Sequence, residues 1–328
     1  MKAAQILALD IGGTAAKFGY FDLEPKLAAQ SESKPELRGQ AELQFSGDRE
    51  QNPLLQQIAD YLPAYLEHAK ASGLRPEEIF GLAISATGQI DSKAGVVAGT
   101  CGNFPGWLGS PLKDFFESYF NCPCTVANDA NCMVLGEAWQ GRGRAYQNII
   151  GITLGTGVGG GIIVNGRILE GQRGLAGELG HIPLYGPAGR DCSCPLHGCV
   201  EQYIATSSLL RRAQEAAYDF KNAKELCAAL FAGPADSKLE ELWAAWILDI
   251  AYSLAGLVHI FNPECILIGG GISEQGERLL GPLREQLKKL IMPEFAKGLV
   301  LEAAALGNQA GLYGALKYFL DSQKEREN

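Results

Sequence analysis

Residues 5–21 read QILALDIGGTAAKFGYF, in which an apolar run reaches an acid, a glycine turn and then a second apolar run. This order predicts two β-strands joined by a tight turn. Gly12 and Gly13 would let backbone amides approach a phosphate group. Thr14 adds a hydroxyl, and Asp10 can hold a magnesium ion through water. An ordinary hairpin turn explains this stretch equally well when it is considered alone.

An apolar run, a glycine turn and a second apolar run recur at residues 149–164, IIGITLGTGVGGGIIV. Two similar halves predict a duplicated α/β fold with a cleft between two domains. The glycines also match a dinucleotide-binding pattern, but that pattern must open a helix, and residues 162–164 predict a strand. Gly155, Thr156 and Gly157 therefore form a second candidate phosphate turn. The sequence contains no GxxxxGK(S/T) run, which excludes a P-loop.

A third glycine turn follows the apolar run Cys265–Ile268. Because glycine has no side chain, an adenine and its ribose could lie close against the backbone of Gly269, Gly270 and Gly271. A tight strand-to-helix turn is the alternative interpretation of the same three residues.

Cysteines and histidines cluster between residues 181 and 199. Cys192, Cys194 and Cys199 lie on a short loop and supply three thiolate donors for zinc. His181 would complete the tetrahedron through one ring nitrogen and keep the other for an outward hydrogen bond. His197, inside the loop, is the competing ligand. A reduced thiol cluster or a disulfide pair is the alternative to a metal site.

Two acids flank this cluster. Glu178 precedes His181 by three residues, a spacing that puts both side chains on one face of a helical turn. Together with Glu201 they form a rim of hydrogen-bond partners suited to a polyhydroxyl ligand. The alternative for Glu178 is an ordinary surface acid.

A further acid lies where a predicted strand, Thr125–Ala127, meets a predicted helix. Asp129 could accept a proton from a bound hydroxyl while Asn128 orients the same substrate. Helix N-capping explains both residues as well. Asn103 and Gly88 lie in loops after predicted strands and are candidate ligand contacts, with loop structure as the alternative.

Composition restricts the class of protein. The chain has 328 residues, 47% of them hydrophobic, which predicts two globular domains. A net charge of −9 disfavours a nucleic-acid surface. We see no apolar run of the roughly 20 residues that span a membrane and no signal-peptide pattern, so we expect a cytoplasmic protein. Its nine cysteines are expected to be reduced. A homodimer is the expected assembly.

Together these motifs resemble the ROK family (repressors, open reading frames and kinases), within the actin-like ATPase and hexokinase superfamily. The resemblance runs nearly end to end. It rests on DIGGT at 10–14 with Lys17, SATGQID at 85–91, GNFPGW at 102–107, ANDANC at 127–132, LGTGVGGG at 154–161, GELGH at 177–181, CSC and GCVE within 192–201, IGGGIS at 268–273 and ALGNQAGLYGA at 305–315. One departure is Pro195, where the family's cysteine loop usually has glycine.

The resemblance implies a two-domain actin-like ATPase (ribonuclease H-like) fold with the active site in the interdomain cleft. We place residues 1–127 and 310–328 in a smaller domain and residues 128–309 in a larger one. The implied activity is transfer of the γ-phosphoryl group of ATP to the 6-hydroxyl of a hexose, with magnesium and a structural zinc ion. Glucose is the first choice of substrate. N-acetylmannosamine, N-acetylglucosamine, fructose, allose and a β-glucoside are the alternatives.

The resemblance makes Asp129 the general base, and the other candidate residues are assigned to sugar, ATP or zinc, with His181 assigned to both sugar and zinc. Sugar contacts are Gly88, Asn103, Asn128, Asp129, Glu178, His181 and Glu201. ATP contacts are Asp10, Gly12, Gly13, Thr14, Lys17, Gly155, Thr156, Gly157, Gly269, Gly270 and Gly271. The zinc ligands are His181, Cys192, Cys194 and Cys199.

Two other functions are weighed against a kinase. A sugar-responsive repressor needs a DNA-reading module, and the first strand, beginning by Gln5, leaves no room for a helix-turn-helix before it. A non-catalytic sugar sensor is disfavoured because Asp10, Asp129 and both phosphate turns are present.

Overall fold

The structure is a computed structural model that describes residues 4–23, 35–99, 105–234 and 236–327. The chain divides into two compact units. Unit 1 comprises Met1–Gln140, Glu170–Ala176 and Asn308–Asn328, and unit 2 comprises Gly141–Leu169 and Gly177–Gly307.

Helices and strands are mixed along the chain. The first part contains β1 (Ala4–Ile11), β2 (Ala15–Leu23), β3 (Leu37–Gln44), α1 (Leu54–Lys70), β4 (Ile79–Ala86), β5 (Gln89–Asp91), β6 (Val96–Gly99), α2 (Leu112–Phe120), β7 (Cys124–Asn128) and α3 (Asp129–Gln140). The second part contains β8 (Ile149–Leu154), β9 (Val158–Val164), β10 (Arg167–Ile168), α4 (Glu201–Ile204), α5 (Thr206–Glu215), α6 (Ala223–Ala232), α7 (Ser237–Phe261), β11 (Cys265–Gly269), α8 (Glu277–Leu290) and β12 (Val300–Ala303). The chain ends with α9 (Ala310–Glu327).

Each unit contains a five-stranded sheet, and the two sheets share one topology. Sheet 1 has the order β3-β2-β1-β4-β7, and sheet 2 has the order β10-β9-β8-β11-β12. In both, an antiparallel hairpin (β1–β2 or β8–β9) continues into parallel strands. The predicted duplication of strand, glycine turn and strand is confirmed. Strand β9 begins at Val158, inside GTGVGG, which also confirms that these glycines do not open a helix.

The unit boundary differs from the sequence-based boundary between residues 127 and 128. Helix α3 belongs to unit 1 because it packs closely against α9. A Cβ on Gly136 would lie 2.3 Å from the Ala310 carbonyl oxygen, and one on Gly314 would lie 1.7 Å from the Cys132 carbonyl oxygen. These glycines let the two helix backbones touch, which ties α3 to the first unit.

Helix α7 is the core helix of unit 2. Trp246, Ile250 and Leu254 on it are fully buried, which confirms that its tryptophans pack in the interior. Among the described residues, this 25-residue helix is long and apolar enough to cross a membrane by length and composition. The expectation that no such segment exists is therefore wrong. Half of its most apolar window is nevertheless buried inside the protein, as in a core helix.

Candidate functional site

The carboxyl ends of three parallel strands meet at one edge of sheet 1. Asp10 on β1 lies beside Ser85 on β4, and the next position of β4 pairs with Asn128 on β7. Because neighbouring strands lie about 4.8 Å apart, Asp129, which follows β7, lies on the order of 10 Å from Asp10. Two acids predicted from separate motifs are thus brought to one edge.

Asp10 is held by three neighbours. Ser85 Oγ donates a hydrogen bond to Asp10 Oδ1 at 2.6 Å, and Lys17 Nζ lies 3.5 Å from Oδ2. A Cβ on Gly311, near the start of α9, would lie 2.6 Å from the same carboxylate. Lys17 was predicted to contact phosphate, and here it is paired with the acid that was predicted to hold magnesium.

Asn128 caps helix α3. Its Oδ1 accepts hydrogen bonds from the backbone N–H groups of Ala130 at 2.9 Å and Asn131 at 3.1 Å. Its Nδ2 donates to the Gly88 carbonyl at 2.9 Å. The capping interpretation of Asn128 is confirmed, and the contact with Gly88 links two residues that were predicted to bind the same ligand.

Asp129 is the first residue of α3 and is half-buried. Its Oδ1 accepts a hydrogen bond from the Ala130 N–H at 2.9 Å. The positive end of the helix dipole favours the ionised form of an acid in this position. Burial raises the pKa of the Cys132 thiol, and the charges of Asp10 and Asp129 raise it further. Both carboxylates therefore lie near one thiol, in agreement with the strand register.

The first glycine turn is closed by a hydrogen bond from the Gly12 N–H to the Ala15 carbonyl at 2.9 Å. Arg49 Nη2 donates to the Gly13 carbonyl at 2.7 Å. The sequence analysis missed Arg49, because nothing in residues 45–52 indicates that they return to this turn. The guanidinium holds the turn from one side and brings a positive charge beside a predicted phosphate site.

The second glycine turn is held by the start of helix α5. Thr206 donates from its backbone N–H at 2.8 Å and from Oγ1 at 2.7 Å to the Gly155 carbonyl. Ser207 Oγ donates to the Thr156 carbonyl at 2.7 Å. In a trans peptide the carbonyl and the following N–H point in opposite directions. The amides of Thr156 and Gly157 therefore point away from α5, as a phosphate-binding turn requires.

The GELGH segment forms a single helical turn, Leu179–His181, against strand β9. A Cβ on Gly180 would lie 2.3 Å from the Val158 carbonyl, so glycine permits this close approach. Burial raises the pKa of Glu178, the nearby His181 lowers it, and the Glu201 carboxylate raises it. Both interactions show that the three predicted sugar contacts of unit 2 are neighbours.

Four side chains form one cluster with metal-ligand chemistry: His181, Cys192, Cys194 and Cys199. Their ligand atoms all lie within 4.8 Å of one another. Cys192 Sγ is 3.6 Å from His181 Nδ1, and Cys194 Sγ is 3.6 Å from Cys199 Sγ. Bonds of roughly 2.3 Å to sulfur and 2.0 Å to nitrogen give a sulfur–sulfur edge of about 3.8 Å and a sulfur–nitrogen edge of about 3.5 Å in a tetrahedron. The donor set and its spacing therefore fit zinc, and the ring nitrogen facing the thiols is Nδ1.

His197, the competing ligand, lies outside this cluster. Its Nδ1 is 2.7 Å from Asp191 Oδ1, and its side chain is 55% exposed.

Gln202, which the sequence analysis missed, donates from Nε2 to Cys192 Sγ at 3.8 Å. All eight described cysteines are free thiols, so the disulfide alternative is not found among them.

Glu201 begins helix α4, and its Oε2 accepts a hydrogen bond from the Val158 N–H at 2.9 Å.

In the third glycine turn, Gly270 has φ +86°, and a Cβ there would lie 2.2 Å from the Leu154 carbonyl. Gly270 thus serves the strand-to-helix turn, whereas a Cβ on Gly271 would meet open space. Asn103, a predicted sugar contact, lies outside the described residues.

Comparison with known proteins gives the chain a family. A sequence profile of the ROK family matches residues 6–322. The chain belongs to the ROK family. A glucokinase of Halalkalibacterium halodurans is 32% identical over 323 residues, covering 94% of this chain and 92% of that protein. A glucokinase of Thermotoga maritima is 38% identical over 253 residues, covering 73% of this chain and 78% of that protein.

Solved structures of the family share the fold. A ROK family glucokinase from Streptomyces griseus, solved in complex with glucose and AMPPNP, has a TM-score of 0.76 and 30% identity. The alignment covers 96% of this chain and 99% of that one. The predicted α/β fold of the actin-like ATPase type and the predicted ROK resemblance are both confirmed.

Proposed function

We propose that this ROK family protein is an ATP-dependent sugar kinase that phosphorylates the 6-hydroxyl of a hexose, with glucose as its preferred substrate. The observation that carries the proposal is the placement of Asp10 and Asp129 at one edge of sheet 1, in a chain related over most of its length to glucokinases. Phosphoryl transfer depends mainly on positioning and charge stabilisation, which such an edge supplies.

Asp129 would act as general base. Its half-buried carboxylate lies in the first turn of α3, where the helix favours its ionised form. In that form it accepts the proton of the attacking 6-hydroxyl. Asp10 would hold magnesium through water, and magnesium neutralises phosphate charge when bound. Lys17, beside Asp10, would add a positive charge for the phosphates.

Unit 2 contributes two sets of contacts in this proposal. The amides of the second glycine turn would bind phosphate oxygens, and the Gly269–Gly271 turn would lie against adenosine. Glu178, Glu201 and the Nε2 atom of His181 would hydrogen-bond sugar hydroxyls, because Nδ1 faces the thiols. Asn128, Gly88 and Asn103 complete the sugar contacts that we assign.

We assign zinc a structural role at His181, Cys192, Cys194 and Cys199. A metal bound by four protein ligands keeps no open position for a substrate, so its contribution is to fix the loop. Fixing that loop orients His181, since the same imidazole faces the metal with one nitrogen and the sugar with the other.

The remaining assignments follow from composition. We propose a cytoplasmic protein, in agreement with free thiols at all eight described cysteines. With a net charge of −9 we assign it no nucleic-acid partner, and we assign it no membrane partner. A homodimer is the assembly we propose.

A substrate screen tests the activity. Purified protein is assayed for ADP release with ATP, magnesium and each of glucose, N-acetylmannosamine, N-acetylglucosamine, fructose, allose and a β-glucoside. We expect the highest kcat/KM with glucose. A higher kcat/KM with another sugar would make that sugar the preferred substrate and leave the proposed kinase activity unchanged. Glucose binding without ATP consumption for any sugar would instead indicate a sugar sensor.

A further inference from the structure

Gln202 and Arg211 lie beside the cysteine cluster, on two consecutive helices of unit 2. Gln202 is in the short helix α4 and Arg211 is in α5, and Ala205 between the two helices has extended backbone angles of φ −60° and ψ 154°. This break turns the chain, so the second turn of α5 comes back beside α4. Arg211 Nη1 donates to Gln202 Oε1 at 3.3 Å, and Arg211 Nη2 donates to the Gln202 carbonyl. One guanidinium thus holds both the side chain and the backbone of Gln202.

The guanidinium determines which way the Gln202 amide points. Arginine has only hydrogen-bond donors, so the amide atom that faces it must be the oxygen, Oε1. The amide nitrogen Nε2 therefore points the other way, and it lies 3.8 Å from Cys192 Sγ. A thiolate accepts hydrogen bonds, and a second oxygen in place of this nitrogen would repel it. Arg211, Gln202 and Cys192 form a chain in which each hydrogen bond is donated toward the sulfur.

Arg211 has no ion-pair partner among the described residues, in contrast to its two neighbouring arginines. Arg190 pairs with Glu215 at 2.9 Å, and Arg212 pairs with Asp249. Burial lowers the pKa of the half-buried Arg211 guanidinium, the charges of Arg190 and Arg212 lower it too, and the Glu215 charge raises it. A positive charge in such a position needs a negative charge nearby.

The cysteine cluster supplies that negative charge when it holds a metal ion. Zinc binds cysteine as a thiolate and histidine as a neutral imidazole. Three thiolates and one imidazole around a doubly charged ion leave one net negative charge. The guanidinium of Arg211 and the metal-loaded cluster are therefore electrostatically complementary.

We propose that Gln202 and Arg211 are positioning residues of the zinc site, which hold the Cys192 thiolate through a donated hydrogen bond and the positive charge behind it. The inference rests on the zinc site assigned above. Cys192 Sγ is 3.6 Å from His181 Nδ1, so the same hydrogen bond also fixes the surroundings of the imidazole that would face the sugar. Outer partners of metal ligands typically change metal affinity by about 10- to 100-fold.

A purely structural connection between α4 and α5 is the alternative role for these two residues. The contact from Arg211 Nη2 to the Gln202 carbonyl serves that purpose alone, and it does not involve the Gln202 side chain. The two explanations therefore differ at the amide group, because only the positioning role requires a donor that faces the sulfur.

The zinc Kd of the full-length chain, measured by competition with a coloured chelator, tests the role of Gln202. Gln202→Glu replaces the donor by a carboxylate oxygen in a side chain of the same shape, so the zinc Kd should rise by about tenfold or more. Arg211 can still donate to the new side chain, so the variant should fold, as circular dichroism would show. Gln214→Glu, the same substitution at an exposed position of α5, is the matched control and should keep the wild-type zinc Kd.

A pair of substitutions tests whether the two residues act as one chain. Gln202→Leu and Arg211→Met should each raise the zinc Kd by about tenfold. The double variant should raise it by less than the product of the two changes, because loss of the amide already disconnects the guanidinium from the sulfur. An increase equal to that product would contradict the chain of hydrogen bonds.

Cobalt(II) bound in place of zinc gives a spectroscopic measure of the thiolate. A donated hydrogen bond stabilises the filled sulfur orbital from which the thiolate-to-cobalt absorption band arises. Loss of that bond in Gln202→Leu should therefore move the band to longer wavelength, while Gln214→Leu should leave it in place. An unmoved band in Gln202→Leu would overturn the proposal, since a connection between α4 and α5 alone would not affect the sulfur.

The zinc content of the wild type separates this inference from the assignment on which it rests. Wild type that binds no zinc would overturn the zinc site and the inference with it. Wild type that binds zinc, together with Gln202→Glu at the wild-type zinc Kd, would overturn the inference alone. None of these measurements depends on kinase activity.

Discussion

Glu201 accepts a hydrogen bond from the backbone N–H of Val158 at 2.9 Å, although the two residues are 43 positions apart. Glu201 follows the cysteine loop directly, and Val158 ends the second glycine turn. A Cβ on Gly157 would lie 2.5 Å from the same carboxylate. The Glu201 side chain thus joins the cysteine loop to the second glycine turn. A substitution in either segment should therefore change ligand binding at the other.

Replacing Glu201 tests this connection. Glu201→Ala leaves the Val158 N–H without its partner, and hydrogen bonds to charged groups contribute about 1.5–3 kcal/mol. We expect the KM for ATP and the Kd for glucose both to rise, each by roughly tenfold or more. Glu201→Gln keeps an acceptor oxygen, so its KM for ATP should rise less. Equal KM values for ATP in the two variants would contradict a positioning role for this hydrogen bond.

The contact between Ser207 and the second turn gives a more selective prediction. Ser207→Ala removes the hydrogen bond to the Thr156 carbonyl, a loss of about 0.5–1.5 kcal/mol. The KM for ATP should rise by roughly two- to tenfold, while the Kd for glucose, measured by calorimetry, should not change. Ser253→Ala is the control, because Ser253 Oγ donates to a carbonyl within α7. A KM for ATP that stays at the wild-type value would show that this hydrogen bond does not hold the turn.

Metal content distinguishes the two histidines of the cysteine loop. We expect about one zinc ion per chain in wild type and in His197→Ala, and little in Cys194→Ser or His181→Ala. Loss of zinc should lower the thermal midpoint by ~2–4 °C for each kcal/mol of stability lost. Glucose affinity should fall in parallel, because His181 is oriented by the same cluster.

Two results would argue against that assignment. Wild-type zinc content in Cys194→Ser would remove this thiol from the ligand set. Unchanged glucose affinity in protein verified to be metal-free would show that His181 is positioned by other contacts.

Acid stability depends in part on the cap of α7. The hydrogen bond from Tyr218 and the backbone N–H groups of Leu239 and Lys238 lower the pKa of Asp236 below its usual value of 3.8. An acid with a lowered folded-state pKa stabilises the fold above its unfolded pKa and loses this contribution as pH falls through the folded value. Asp236→Asn should therefore flatten the dependence of the thermal midpoint on pH below about 4. An unchanged slope would contradict this role.

Local sequence patterns predicted both hairpins because strand, turn and strand are continuous in the chain. The pairing of Asp10 with Lys17 follows from the same hairpin, whose register places these residues opposite each other. The sequence analysis assigned Lys17 to phosphate without using that register. The unit boundary could not be predicted, because α3 is tied to unit 1 by α9 at the other end of the chain.

Site chemistry was predictable where one short segment supplies it. His181 and the three cysteines were identified as a set, since their residue types and spacing are specific to metal binding. The choice of Nδ1 and the exclusion of His197 required the path of the loop. Contacts from distant segments, such as Arg49 to the first turn and Glu201 to Val158, leave no sign in local sequence.

The most direct test of the account is the turnover of Asp129→Asn with glucose and ATP. If Asp129 is the general base, kcat should fall by about 10²–10⁴-fold, while calorimetry should show glucose bound with nearly wild-type Kd. Asp60→Asn, an exposed acid on α1, should keep wild-type activity. Substantial residual phosphorylation by Asp129→Asn, within about tenfold of wild type, would contradict the mechanism.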